Sequence, residues 1–491
     1  MEFLRLDSSF IRRFLFLLPI LLCVAFAVAY SILSVVRHQH FQSFGYDLGI
    51  NDQTVWRYSK FELPITTIDP FPDKTKLSEH VEFVYALISP FYWIWSSRRM
   101  LLILEVIFIC SGGLAIFLLA RKRHISYSVS MALLISYLTF FGVQNAVWFD
   151  VHSLTFGAAF LAWFLYALDQ KKKWPTILFF FLAITAKENI AFIAFFVALI
   201  YFTARKDKMN IFLMAVSLVY LLFIFFIFFP QIMHTQYLYQ NHAGLLSDLN
   251  PLHMFDTSEK LQTEFYTILS FGFLPFLAPL SLLPGLADLA TYFVIGSDLG
   301  GAQGLFMHYR VTLAPLLAWA AITTIIRYKF LDNKYIAIYM VVVAAFAQYT
   351  LHLPLSYLTK SWFWQTPSSV EDITKIIRDD LPNDASVVAQ NNIVPHLSHR
   401  DQIYSLYPRK KHFSHNSPCG TLDCNWFSWY DHPKYLFVDT ASDWDIRHLL
   451  ANRPDFIAGL QNIEKAGVVK VYKKVGTATL YTVLKNPDDI K

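Results

Sequence analysis

The sequence predicts an α-helical multi-pass membrane protein of about eleven spans with a C-terminal α/β domain outside the cytoplasm. Three observations predict it. The 491 residues are 55% hydrophobic and 17% aromatic but only 16% charged, where a soluble chain carries about 25% charge. The charge is unevenly placed: Lys360–Lys491 holds 16 Lys or Arg and 15 Asp or Glu, about 23% of its residues, against about 13% before it. Finally, apolar runs long enough to cross a hydrocarbon core of about 30 Å recur through the first part only. This composition excludes a disordered chain, a coiled coil and a disulfide-stapled mini-domain. A net charge of +5 over this length gives a nucleic-acid partner no electrostatic support.

The first span runs from Phe14 to Val36, behind Arg5, Arg12 and Arg13. Ala27-Val28-Ala29 resembles a signal-peptidase site, but the apolar run continues past it and more spans follow, which favours an uncleaved helix. The next six are Met100–Ala120, Ile125–Phe141, Leu154–Leu168, Trp174–Ile184, Ile190–Ala204 and Ile211–Phe229. Phe265–Leu283, Leu286–Ile295, Val311–Ile326 and Tyr335–Leu353 complete the set, with Pro279 and Pro284 allowing a re-entrant hairpin between the eighth and ninth. Glu82–Trp95 is short, aromatic and interrupted by Pro90, and reads as an interfacial helix. With the N-terminus inside, Arg121–Arg123, Lys171–Lys173, Arg205–Lys208 and Arg327–Lys334 all fall on the cytoplasmic side of the cell membrane. The organisation is therefore a membrane domain, 1–359, with a first outer loop at 37–81, and an extracytoplasmic domain, 360–491.

That topology sends Asp47, Asp52, His80, Asp150, His152, Lys187, Glu188, His308 and Arg310 to the outer face, at helix ends. A transporter more often places polar groups mid-helix, in broken helices that recur in two halves, and no internal repeat is found. In the tail, Val370–Leu381 reads as an amphipathic helix. Ser386–Ala389, Tyr435–Val438, Val468–Tyr472 and Thr479–Leu484 read as strands. Cys419 and Cys424 lie close in an exported loop, where a disulfide and two free thiols are both open, and no local spacing supplies a zinc set.

The most informative stretch is Gly45-Tyr46-Asp47-Leu48-Gly49-Ile50-Asn51-Asp52-Gln53. A carboxylate soon after a first span, followed by aromatics, places a group at the membrane surface able to take a proton from an acceptor hydroxyl. The simpler reading is that Asp47 caps the following helix. Taken together, Tyr-Asp-Leu-Gly-x-x-Asp-Gln, Phe-Asp-x-His at Phe149–His152, Thr185-Ala186-Lys187-Glu188-Asn189 and Asn391-Asn392-x-x-x-Pro395-His396-Leu397-Ser398-His399-Arg400 resemble a prokaryotic polytopic membrane-protein family of unknown function. That family in turn is similar to the GT-C glycosyltransferase superfamily. The resemblance implies a GT-C-like fold and transfer of a sugar from a polyprenyl-phosphate-linked donor, a membrane lipid, to an extracytoplasmic acceptor. It implies Asp47 as the catalytic acid–base residue, with Asp52 as second choice and, beside a base at Asp47, as the residue that orients the site. The sequence departs from the family at Ala186, Asn189 and Glu79.

A departing phosphate needs positive charge, which assigns Lys187, His308 and Arg310 to substrate binding, with His80, Asp150, His152 and Glu188 around them. Snorkelling of Lys187 and Arg310 at the interface is the structural alternative. No metal is assigned, although Asp150, His152, Glu79 and His80 are ligand types that suit a divalent ion. His396–Arg400 reads either as an acceptor or sugar contact or as a polar turn. A non-enzymatic transporter or envelope-assembly scaffold is the alternative function.

Overall fold

Helices begin where a polar side chain can accept from the first free N–H groups of an apolar run. Ser126 accepts from Val129 N, Asp207 from Asn210 N, and Asn333 from Tyr335 N and Ile336 N. A computed structural model describes residues 8–68, 75–235, 237, 250–294, 301–409, 423–441 and 453–487. They fall into two compact units.

The helical unit comprises Met1–Ser34, Ser78–Val84 and Leu102–Thr359. Among the described residues, six helices are long and apolar enough to cross a membrane: Leu17–Gln39, Arg98–Lys122, Tyr127–Trp148, Glu188–Arg205, Lys208–Ile232 and His308–Arg327. Ser153–Asp169, Lys173–Ile184 and Lys334–Thr350 are shorter apolar helices. Each matches an expected span. The region expected to hold the eighth and ninth spans divides elsewhere. A helix Ser258–Leu269 stops, a 3-10 turn follows at Leu274–Leu277, and a new helix runs Pro279–Phe293. Gly272 and Phe273 both take left-handed backbone, at φ +62° and +57°, which ends a right-handed helix. Pro279, lacking an N–H, suits the first turn of the next one.

Within this unit the basic loops meet at one end. Arg123 Nε donates to Asp169 Oδ1 at 2.9 Å, Arg205 Nη2 lies 3.6 Å from the same oxygen, and Asp332 accepts from Ser126 N at 2.9 Å. His152 precedes the helix that Asp169 ends, and Glu188 opens the helix that Arg205 ends. At 1.5 Å per residue each helix spans roughly 25 Å, close to a hydrocarbon core.

The segment expected at the interface is a helix Val84–Ile88 continued by a 3-10 turn Ser89–Trp93. It is far below the ~20 residues a span needs, and Trp93, Ile94 and Trp95 are exposed.

The second unit comprises Val35–Leu77, Tyr85–Leu101 and Lys360–Lys491. Its strands are β1 (Val387–Ala389), β2 (Ile403–Ser405), β3 (Tyr407–Arg409), β4 (Asp423–Ser428), β5 (Tyr435–Asp439), β6 (Val469–Val475) and β7 (Ala478–Val483). Five form a mixed sheet in the order β2-β1-β5-β7-β6, parallel on the β2, β1, β5 side and antiparallel through β7 and β6. The four strands expected from the tail are present. The strands β2, β3 and β4 were not anticipated.

Strand side chains alternate between faces, and the two faces have different covers. One face, including Val387, Ala389, Phe437 and Leu480, packs against Ile373 and Ile376 of the helix Ser369–Asp379 and against Phe41, Ile50 and Ile68. The other, including Val388, Leu436 and Val438, packs against Phe456, Leu460 and Ile463 of the helix Arg453–Lys465. The sequence division places 37–81 with the membrane helices, whereas in the structure first-loop residues Phe41, Ile50 and Ile68 help form the core of the tail's sheet. Cys419 and the Cys424 side chain lie outside the described residues, and with them the disulfide question.

Candidate functional site

In the second unit, Gly45–Gly49 forms a π-helical turn leading directly into the helix Ile50–Ser59. Such turns are rare and are enriched at functional positions. Phe44 occupies the capping position and offers no side-chain acceptor. Asn391, far along the chain, supplies it: Gly45 N–H donates to Asn391 Oδ1 at 2.8 Å, and Tyr46 N lies 3.3 Å from the same atom. Asp47 is half-buried within the turn and is not its cap. Its carbonyl accepts from Ile50 N, which fixes the backbone carrying the carboxylate.

The glycines explain the rest of the motif. A Cβ on Gly45 would sit 2.9 Å from Val394 Cβ, and one on Gly49 3.2 Å from Val394 Cγ1. The helix Val394–Leu397 can therefore approach only because both positions lack a side chain. Gly45→Ala should cost about 1–3 kcal/mol through overpacking. It would be read as a lower thermal midpoint of the detergent-solubilised protein, and an unchanged midpoint would show that Val394 yields.

Asp52 is fully buried and fully engaged. It accepts from Tyr92 Oη and, at 2.5 Å, from Ser398 Oγ. His399 Nε2 lies 2.9 Å away and Arg98 Nε 3.7 Å away. Burial alone would raise the Asp52 carboxyl, but His399, Arg98 and Ser398 outweigh it and hold the pKa at about 2. Burial together with the Asp52 charge pushes the Tyr92 phenol well above its usual value. A carboxylate this acidic and this enclosed is poorly suited to accept a proton and braces the groups around it. Gln53 extends the brace, accepting from Thr66 Oγ1 and Thr67 N at 3.0 Å each and donating to Arg400 O at 2.9 Å. His396 stacks on His38 with ring centroids 4.1 Å apart; burial, then the His38 and arginine charges, hold it well below the normal imidazole range. The tail motif therefore acts as the scaffold of the Asp47 turn.

The remaining expected residues lie in the helical unit, toward the end away from the basic loops. Glu188 is buried and saturated: His80 Nδ1 lies 2.8 Å from Oε1, Tyr237 Oη donates to Oε1 at 2.7 Å, and Val81 N donates to Oε2 at 3.1 Å. His152 and His308 stack with centroids 3.4 Å apart. Asp150, buried, takes left-handed backbone at φ +68°, one of the strained positions that cluster at functional sites. Lys187, Arg310, His152 and His80 all lie within electrostatic range of His308.

Arg310 is the unusual member. Its guanidinium is fully buried, with Nη2 donating to Ala302 O. It lies over the rings of Tyr292 at 4.6 Å and Phe293 at 5.2 Å. Nε and Nη1 have no hydrogen-bond partner. Burial with free N–H groups is the opposite of snorkelling, and it leaves Arg310 able to receive an anion. Lys187 stands in the capping position of the helix Glu188–Arg205, where the helix dipole also favours negative charge.

Three acids were passed over. Glu105, buried in the helix Arg98–Lys122, accepts from His152 N at 3.0 Å; Glu82 accepts from Ser153 Oγ at 2.5 Å; Asp288, buried, accepts from Thr312 Oγ1 at 2.8 Å. Two of them, Glu105 and Asp288, are lone acids inside apolar runs, itself a functional signal. Among the described residues, no group of three or more His, Cys, Asp or Glu is arranged to hold a metal ion.

A family model described as predicted membrane protein (DUF2079) matches residues 37–427. The chain belongs to that family. For a DUF2079 protein the matched range is informative, because it takes in both groups of residues described above. No curated protein sequence matches the chain. Among solved structures it is similar to ArnT from Cupriavidus metallidurans bound to undecaprenyl phosphate, with TM-score 0.55 and 12% identity, over 94% of this chain and 97% of that one. At that identity the likeness concerns the fold, which is the GT-C-like multi-pass architecture expected from the sequence.

Proposed function

We propose that this DUF2079 protein is a membrane glycosyltransferase. It moves a sugar from a polyprenyl-phosphate-linked donor to an acceptor on the extracytoplasmic side of the cytoplasmic membrane. The observation that carries the reading is Arg310, a buried guanidinium with two unpaired donor nitrogens among His308, Lys187 and aromatic rings. Such a group suits a phosphate whose charge grows as a bond to it breaks. Binding of undecaprenyl phosphate by the similarly folded ArnT supports a lipid phosphate as that ligand. The gathering of the basic loops at one end of the helical unit supports the orientation.

Asp47 is the proposed base. It takes the proton of the acceptor hydroxyl as that oxygen bonds to the anomeric carbon, while the bond from that carbon to the phosphate oxygen breaks. The polyprenyl phosphate departs with the bonding electrons. Asp52 holds the Asp47 turn in place and transfers no proton.

The test supplies the purified protein in lipid nanodiscs with a panel of polyprenyl-phosphate sugars and measures released polyprenyl phosphate by mass spectrometry. Release from at least one donor is expected, with Arg310→Gln slowing it about 100-fold or more, as expected for loss of a charge-stabilising donor. No release from any donor, together with no retained lipid phosphate, would overturn the reading.

A further inference from the structure

Resting on that donor-phosphate reading of Arg310, we infer that Asp288 and Asn189 form an adjoining subsite that recognises hydroxyl groups on the donor's sugar. Asp288 and Tyr292 are four residues apart in the helix Pro279–Phe293 and so share one face of it. The Arg310 guanidinium lies over the Tyr292 ring, and Asn189 Nδ2 lies 3.5 Å from Tyr292 Oη. Arg310, Tyr292, Asp288 and Asn189 therefore form one connected cluster, drawn from three segments of the helical unit.

Their unused hydrogen-bonding capacity is complementary. Asp288 spends Oδ2 on Thr312 Oγ1, and its Oδ1 has no partner. Asn189 Oδ1 also has none. Both are acceptors, in the same cluster as the two free donors of Arg310. Asp288 and Arg310 do not satisfy each other: the guanidinium donates to Ala302 O, and the carboxylate accepts from Thr312. Opposite charges buried side by side without direct pairing are costly, and buried polar atoms without partners call for a ligand or water. A ligand presenting an anion to Arg310 and hydroxyl donors to Asp288 and Asn189 would satisfy all of them. A glycosyl phosphate bearing free hydroxyls near its anomeric carbon has that pattern. A bare lipid phosphate does not.

The experiment measures binding of polyprenyl phosphate and of polyprenyl-phosphate hexose to the protein in nanodiscs, by native mass spectrometry. The wild-type protein is expected to prefer the hexose-bearing lipid by about tenfold or more. Asp288→Asn should reduce that preference to about twofold while leaving affinity for the bare lipid phosphate in place. Arg310→Gln should weaken both lipids and keep their ratio. Asn189→Ala, a smaller change at the edge of the cluster, serves as a second variant should Asp288→Asn fail to fold, and should lower the preference severalfold. If these variants weaken both lipids equally, or neither, the subsite is overturned. If the wild-type protein binds the bare lipid phosphate without preferring the hexose, the subsite alone fails. If it binds neither lipid, the donor reading falls and takes the subsite with it.

Discussion

Asp47→Asn is expected to slow release of polyprenyl phosphate by about 10²–10⁴-fold, the usual contribution of a positioned general base. The replacement has nearly the same shape but cannot accept a proton. The turn that carries it is held through backbone groups, by the contacts of Gly45 and Tyr46 with Asn391, and these do not involve the Asp47 side chain. The backbone contacts of the turn persist in this variant, so its thermal midpoint should fall far less than that of Asp52→Ala. Affinity for the donor lipid should also persist, because the proposed base acts on the acceptor. Initial rates, donor binding and thermal stability measured on one preparation separate these effects. A variant with wild-type turnover would remove Asp47 from the mechanism.

Asp52→Ala should produce the largest loss of stability in the second unit, about 3–5 kcal/mol, the usual result of leaving buried partner charges uncompensated. Arg98 and His399 would both lose their carboxylate, and Tyr92 and Ser398 would lose an acceptor. Acid should reproduce part of this effect in the wild-type protein. The Asp52 pKa falls from 3.8 to about 2 on folding, so its stabilisation is fully present above about pH 4 and is lost as pH falls toward 2. The shift corresponds to about 2 kcal/mol. Thermal midpoints recorded from pH 5 to pH 2 should show a decline in the wild type from this source that Asp52→Asn lacks. Parallel curves for the two proteins would mean that Asp52 does not carry the linkage.

Much of the architecture was legible in the sequence. Runs such as Met100–Ala120 and Ile190–Ala204 are continuously apolar, and the bilayer demands that length and composition from a helix whatever its neighbours. The strands at Val387 and Tyr435 and the amphipathic helix beginning at Ser369 also declared themselves by period. The misjudged region, Phe265–Ile295, is equally apolar, so composition could not show that left-handed backbone at Gly272 and Phe273 would end one helix and Pro279 begin another.

The site was legible in residue type more than in role. Acids and histidines at helix ends mark a polar face, and Asp47, His308 and Arg310 were identifiable on that basis. Asp47 and Asp52 are only five positions apart and chemically alike, yet one is half-buried on a π-helical turn and the other is enclosed by Tyr92, Arg98, Ser398 and His399.

By itself, then, the sequence determined that this is a multi-pass membrane protein with an α/β tail, because hydropathy and period are local properties of a run. The tertiary structure decided the rest. It brought Asn391, Val394 and Ser398 against a turn and helix nearly 350 positions earlier, made the tail motif a scaffold, and left Arg310 and Asp288 buried with unpaired atoms. Whether a charged group becomes a brace, a base or a binding site depends on its desolvation and on its partners. Those are supplied by chain segments that no local pattern can name.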